Sequence, residues 1–286
     1  MEGLQRMLAS LEYIENNLEN DLNIEEVAEI ACMSKFHFQR MFRMLTSFTV
    51  SEYIRNRRMT VATQMLNHSN SKIIDVAMRY GYESPEAFTK AFKRIHGINP
   101  SEAKKSNRSL KAYPKLSFQI QLKGDVEMDY KLVDKDEFAV VGKSIRTSCI
   151  DGENNRNIAG FWNESNQNGF TKELAKNSGS LGLIGLCLEF DSKQENLTYL
   201  IGAEKNIDSI PNDWQETIIP AATWAVFPVH GPMPEAMPKV WGRVFSEWFP
   251  STGYEHAGGP EMEVYLSDAD PFSEDYYSEV WIPIKK

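Results

Sequence analysis

The chain contains one pattern twice. VAEIACMSKFHFQRMF, beginning at Val27, returns as VAMRYGYESPEAFTKAF, beginning at Val76. Val27 and Ala28 match Val76 and Ala77 at an offset of 49 residues, whereas Ser34, Phe38 and Phe42 match Ser84, Phe88 and Phe92 at an offset of 50. One residue is therefore gained in between. Each copy reads as a short helix, a tight turn and a second helix that follows a serine cap, the helix-turn-helix pattern. Two such units in one small domain point towards the major groove of DNA.

The net charge of −9 argues against a nucleic-acid binder until it is divided by position. Residues 34–112 carry 15 Lys and Arg against 5 Asp and Glu, a net +10, while residues 113–286 carry 15 against 27, a net −12. Only the repeated region has a basic footprint. At 286 residues the chain is long enough for two domains.

In the first domain Leu8, Leu11, Ile14 and Leu18 fall at helical spacing, and Glu12, Glu15 and Glu19 are expected on a solvated acidic face. Asn23 and Glu26 resemble a capping box for the next short helix. Ser34 caps a helix from Lys35 to about Leu45, along which Phe38, Met41, Phe42 and Leu45 form an inward stripe. Phe36, Gln39, Arg40 and Arg43 form a second stripe, expected to face out, with Lys35 at its start. Gln bonds an adenine edge bidentately, Arg bonds guanine or phosphate, and Phe touches a thymine methyl. A basic amphipathic helix with a solvated face is the plainer reading, and it explains an exposed Phe36 poorly.

Residues Val50 to Asn67 predict a helix of about 26 Å, a strut able to set two recognition helices about 34 Å apart, one DNA turn. In the second copy Gly81 suits a left-handed helix end, Ser84 caps, and Pro85 takes the first helical position. Glu86, Thr89, Lys90 and Lys93 make its outward face, in which Glu86 either accepts from cytosine N4 or caps the helix. Lys104, Lys105, Arg108 and Lys111 trail as a basic tail.

SKFHFQRMF, YIRNRRM and IIDVAMRYGYESPEAFTKAFKRIHGINPSEAKK together resemble the DNA-binding domain of AraC/XylS-type bacterial transcription regulators. The resemblance implies that Lys35, Phe36, Gln39, Arg40 and Arg43, then Glu86, Thr89, Lys90 and Lys93, are the DNA-contacting positions. Cys32 departs from the pattern by standing where Gly81 stands in the second copy, which predicts an irregular first turn.

Beyond a polar linker at 109–125 the chain becomes acidic, aromatic and strand-like. Alternation marks strands at 128–133 and 138–142, a helix follows at 157–168, and two strands lie near 183–190 and 197–203. The plan repeats as a strand at 223–229, a helix at 235–249 and strands at 261–266 and 277–284. The expected fold is thus all-α double helix-turn-helix over 1–108, then an α+β domain over 126–286 made of two pseudo-twofold strand-helix-strand-strand units.

In the last strand Tyr277, Glu279 and Trp281 share one face, an acid between two aromatics that suits an organic cation. Tyr199 is expected at the matching place in the first unit, and Trp162 and Trp241 at corresponding places on the two helices. The alternative is that the aromatics are core and that Glu279 is solvated at a sheet edge. MDYKLVDKDEFAVVGKS, the Trp162 helix, PEMEVY and YYSEVWIPI are similar to the GyrI-like effector-binding domain found fused to AraC-type and MerR-type regulators of drug response. The resemblance implies a site for bulky, cationic or amphipathic molecules built from Trp162, Tyr199, Trp241, Tyr265, Glu279 and Trp281. It also brings a rival, since some domains of this type are similar to hydrolases that open strained electrophiles with a tyrosine or tryptophan and a glutamate, roles that Tyr199 and Glu279 could in principle serve.

Cys32, Cys149 and Cys187 lack CxxC spacing and are expected as buried free thiols, and the five histidines show neither metal spacing nor a triad order. No catalytic residue, metal or cofactor is assigned. The resulting expectation is a cytoplasmic regulator, not an enzyme, whose partners are double-stranded promoter DNA, a small-molecule effector and RNA polymerase, with no membrane partner. Hydrolysis or sequestration of a toxic compound, and ligand-independent activation, are the alternatives.

Overall fold

The computed structural model describes residues 2–68, 71–104, 110–117, 127–176, 178–191, 193, 195–207, 209–265 and 270–286. Lys105 and Arg108 of the expected basic tail, positions 109 and 118–125 of the linker, and Leu266 lie outside the described residues. The chain divides into two compact units, Met1–Lys35 with Val50–Lys123, and Phe36–Thr49 with Gly124–Lys286.

The helices of the N-terminal region are α1 (Glu2–Asn16), α2 (Ile24–Ile30), α3 (Lys35–Thr46), α4 (Val50–His68), α5 (Ile73–Arg79), α6 (Pro85–His96) and α7 (Pro100–Ala103). The two turns share one hydrogen-bond scheme. Met33 N–H donates to Ala28 O and Cys32 N–H to Glu29 O, as Tyr82 N–H does to Ala77 O and Gly81 N–H to Met78 O. This is the pattern of a helix ended by a left-handed residue. Cys32 adopts φ 54° where Gly81 has φ 79°, so the first turn keeps the geometry of the second at a steric cost that glycine avoids. The matching bonds fix the inserted residue as Glu83, after which Ser34 and Ser84 return to register. Ser84 Oγ accepts from Ala87 N–H at 3.1 Å, and Pro85 opens α6.

In the first unit Met59, Leu66, Val76, Ala77, Phe88 and Phe92 form the core around α4, α5 and α6. Glu15 is not part of a solvated face. Arg57 donates to both of its oxygens at 2.8 Å and Tyr53 Oη donates to it at 2.6 Å. That charge-assisted pair explains why Glu15, expected at the surface, is withdrawn from it. Among the described residues no helix is long and apolar enough to cross a membrane.

The strands are β1 (Lys131–Lys135), β2 (Phe138–Ser148), β3 (Ser178–Phe190), β4 (Asn196–Lys205), β5 (Gln215–Ile219), β6 (Ala222–His230), β7 (Glu255–His256), β8 (Glu261–Tyr265) and β9 (Tyr277–Lys285). The helices among them are α8 (Glu153–Gln167), α9 (Phe170–Lys176), α10 (Ala236–Arg243) and, after a π turn at Val244–Trp248, α11 (Phe249–Thr252). Helix α9 and strands β5 and β7 add to the elements expected from periodicity; each is seven residues or shorter. One antiparallel sheet runs β1-β6-β9-β8-β3-β4-β2-β5, with β7 on β9. Its order is that of two repeats meeting at β8 and β3, in which each repeat's leading strand pairs with the other repeat. Val140 of β2 and Trp224 of β6, well separated in strand order, share one core cluster, so the sheet curls around that face. The other face carries Tyr199, Ile201 and Ala203 beneath Phe161, Trp162 and Leu174.

Of the cysteines, Cys149 is buried, Cys187 half-buried and Cys32 exposed, the last because it lies in the left-handed turn.

Candidate functional site

Opposed residues of antiparallel strands point to the same face of a sheet. The registers Gly185↔Glu263, Cys187↔Glu261, Cys187↔Tyr199 and Leu183↔Tyr265 therefore place Glu261, Glu263, Tyr265 and Tyr199 on one face, that of the helices. The registers Val264↔Glu279 and Met262↔Trp281 place Glu279 and Trp281 on the other. The six expected ligand residues are thereby split by the sheet, four on the helix side and two behind it.

The four on the helix side converge on a glutamate that the sequence reading had not singled out. Glu263 Oε1 accepts from Trp241 Nε1 at 3.0 Å, and Oε2 accepts from Tyr199 Oη at 3.1 Å and Tyr265 Oη at 3.0 Å. Trp162 Nε1 donates to Tyr199 Oη at 2.9 Å, and its ring meets Tyr265 edge-on at 5.1 Å. The corresponding tryptophans of the two repeats thus aim their N–H groups at one network. Gly185 makes room for it, since a Cβ there would lie 2.1 Å from Tyr199 Oη. Burial among these rings raises the Glu263 carboxyl above its ordinary value, against the opposing pull of the three hydrogen bonds. Burial, then the charge of Glu263, drives the Tyr199 phenol well upward, so it stands as a donor.

Glu279 has its own partners. Lys131 Nζ lies at 2.9 Å, Tyr277 Oη at 2.7 Å and Trp281 Nε1 at 2.7 Å. Burial works to raise its carboxyl, and hydrogen bonds from Lys131, Tyr277 and Trp281 outweigh it and hold the group below the ordinary range. It borders a cavity of about 190 Å³ with Tyr130, Lys131, Val226 and Pro228. Tyr199 and Glu279 therefore do not form the pair expected for hydrolysis, because alternation along the strands points them to opposite faces.

The second cluster on the helix face involves α3. Arg40 Nε and Nη2 donate to Glu261 Oε1 and Oε2 at 2.6 and 2.5 Å. Its guanidinium carbon lies 5.2 Å from the Phe190 ring centre, 5.5 Å from that of Trp241 and 5.4 Å from that of Phe245. His256 Nδ1 accepts from Gly258 N–H at 3.0 Å, which leaves Nε2 to donate to Glu261 Oε1 at 3.0 Å. Burial would raise the Glu261 carboxyl, but Arg40, followed by His256, takes it down to about 2. The Phe36 ring lies 4.8 Å from His256 and 6.3 Å from Phe190, and Arg43 lies over Phe190 at 5.7 Å. His256 N–H donates to His37 Nδ1 at 3.2 Å.

The stripe expected to face out is thus covered. Gln39 and Arg40 are 4% and 5% exposed, and Phe36 and Arg43 are half-buried. The reason is complementarity: a carboxylate and three rings satisfy both the charge and the flat faces of the guanidinium. Lys35, at the start of α3, instead pairs with Glu25 at 3.1 Å. On α6, Glu86, Lys90 and Lys93 are exposed and Thr89 is half-buried.

The GyrI-like small molecule binding domain family matches residues 128–285, more than half of the chain, and a helix-turn-helix domain family matches residues 27–106. The chain belongs to the AraC-type transcription regulators with a C-terminal GyrI-like domain. Over 97 residues it is 41% identical to the multiple antibiotic resistance protein MarA of Escherichia coli K12, a match spanning 34% of this chain and 76% of MarA. It is 40% identical over 91 residues to the transcriptional activator AarP of Providencia stuartii, spanning 32% of this chain and 67% of AarP. The C-terminal fold is similar to that of a bacterial transcription regulation protein from Staphylococcus aureus MU50, at a TM-score of 0.50 and 23% identity, over 56% of this chain and 100% of that one. It is similar at the same score and identity to SAV2435, solved bound to tetraphenylphosphonium, over 55% of this chain and 94% of that one.

Proposed function

We propose that this AraC-type regulator activates transcription in the cytoplasm, binding promoter DNA through its two helix-turn-helix units and recruiting RNA polymerase, under the control of a bulky organic cation or amphiphile. The observation that carries the effector class is Glu263, a carboxylate ringed by Trp162, Tyr199, Trp241 and Tyr265 on the helix face. Its charge suits a cation, and the indole and phenol rings suit an apolar, aromatic body. The tetraphenylphosphonium bound by SAV2435 is of that chemistry. For DNA, the net +10 over residues 34–112 and the exposed Lys90 and Lys93 support phosphate neutralisation.

Calorimetric titration of the full chain with tetraphenylphosphonium tests the effector reading. Binding is expected, weakened about tenfold or more by Glu263→Gln, which keeps the shape and removes the charge. Unchanged affinity in that variant excludes Glu263 as the cation's partner. Mass spectrometry of the recovered compound distinguishes a sensor, which returns it intact, from a hydrolase, which returns a product. Association with duplex DNA is expected to fall steeply with salt, and binding that ignores salt rejects the DNA reading.

A further inference from the structure

Glu261 and Glu263 stand two residues apart on β8, on the same face, and Trp241 touches both clusters: its N–H donates to Glu263 at 3.0 Å and its ring lies 5.5 Å from the Arg40 guanidinium. The Glu261 cluster has the composition of a receptor for an organic cation. It offers one fully buried carboxylate, held by His256, and the rings of Phe190, Trp241 and Phe245. What fills it is a side chain of the first recognition helix. Two of the three guanidinium nitrogens, Nε and Nη2, donate to Glu261, and the side chain is buried at 5% exposure. Arg40 cannot serve Glu261 and DNA with the same atoms.

We propose that Glu261 with Phe190, Trp241 and Phe245 is a second organic-cation site, occupied by the chain's own Arg40, and that a lipophilic cation taken up beside it at Glu263 displaces Arg40 and frees α3 for DNA. The displacement rests on the reading of Glu263 as the effector's carboxylate. The coupling element is Trp241. A cation that draws close to Glu263 takes the place of the Trp241 N–H, and moving that indole removes one wall from around Arg40. The vacated Glu261 keeps its hydrogen bond from His256 Nε2 at 3.0 Å, two residues along β8 from the bound cation. Effector and Arg40 are competing occupants of one continuous acidic, aromatic surface.

The test uses the full chain and ethylguanidinium, which replaces the atoms removed by Arg40→Ala. The variant is expected to bind ethylguanidinium at least about tenfold more tightly than the unmodified chain and the double variant Arg40→Ala with Glu261→Gln, and to regain thermal stability on binding. Equal affinity in all three overturns the cation site. Should Arg40→Ala fail to fold, refolding by ethylguanidinium but not by urea-free buffer alone supports the site, and failure with both overturns it. For the displacement, the unmodified chain is treated with phenylglyoxal and Arg40 labelling is read by peptide mass spectrometry. Labelling is expected to rise about tenfold on saturation with tetraphenylphosphonium, following the loss of burial. Tetraphenylphosphonium binding without a rise overturns the displacement and leaves the Glu263 reading standing. No tetraphenylphosphonium binding, with ethylguanidinium still filling the variant, overturns the Glu263 reading and the displacement and leaves the second site standing.

Discussion

Helices α3 and α6 are two copies of one element, with equal turns and equal length, yet their outward stripes end in different places. On α3, Gln39 and Arg40 are 4% and 5% exposed, and the guanidinium is spent on Glu261; on α6, Glu86, Lys90 and Lys93 are exposed. The difference follows from residue chemistry. Arginine, phenylalanine and glutamine on α3 suit bidentate and stacked contacts, with protein as well as with bases, whereas lysine on α6 keeps a strongly hydrated point charge. The features that would suit α3 to reading bases also make it the helix that an acidic, aromatic surface can hold.

The largest expected effect that separates the two helices is on stability. Glu261→Ala leaves the Arg40 charge buried without its partner and is expected to lower unfolding free energy by about 3–5 kcal/mol in denaturant titration. Lys93→Ala is expected to stay within about 0.5 kcal/mol. Similar values for both would mean that α3 is no more tied down than α6.

Acid should act on the same contact. The Glu261 carboxyl titrates at about 2 in the folded chain against an ordinary 4.5. Its contribution is therefore complete above about pH 4.5 and is lost as the pH falls towards 2, on the order of 3 kcal/mol in all. Denaturation midpoints measured from pH 6 downward are expected to fall less in the double variant Arg40→Ala with Glu261→Gln, and parallel curves would contradict the assignment.

A smaller effect sharpens the account of the neighbouring site. Gly185→Ala places a Cβ 2.1 Å from where Tyr199 Oη now lies, so it is expected to lower stability by about 1–3 kcal/mol and to disturb the Glu263 network. Tetraphenylphosphonium affinity equal to that of the unmodified chain would show that the Tyr199 hydroxyl is not needed there. On DNA the two helices should differ in kind. With tetraphenylphosphonium present, Arg40→Ala is expected to weaken binding to preferred sequences by about 1–3 kcal/mol, whereas Lys93→Ala weakens all sequences alike and lowers the salt slope by about 1.

Local signals made the repeat legible: the Ser84 cap, Pro85, Gly81 and the apolar stripes of Phe38, Phe42, Phe88 and Phe92 each depend on neighbours within one or two helical turns. Period-two alternation also marked both acidic strands. What it does not encode is which face of a sheet receives the helices. Tyr277-Glu279-Trp281 and Glu261-Glu263-Tyr265 carry the same alternation of acid and aromatic, and only the pairing registers show the second on the helix side. The two glutamates of PEMEVY, spaced by two and followed by Tyr265, were the available sign of Glu263. Helical periodicity likewise identifies the stripe of Phe36, Gln39, Arg40 and Arg43, while the carboxylate that covers it lies 221 residues further along the chain. Long-range partners of this kind are set by topology, which a local window does not contain.

Hydrogen exchange of the full chain reads the hold on α3 directly, by comparing the amides of Phe36–Thr46 with those of Pro85–His96. Slower exchange is expected in α3 than in α6 in the free chain, with a loss of that extra protection in α3 alone when tetraphenylphosphonium is added to saturation. Equal exchange in the two helices without effector, or protection of α3 unchanged by bound effector, would contradict that expectation.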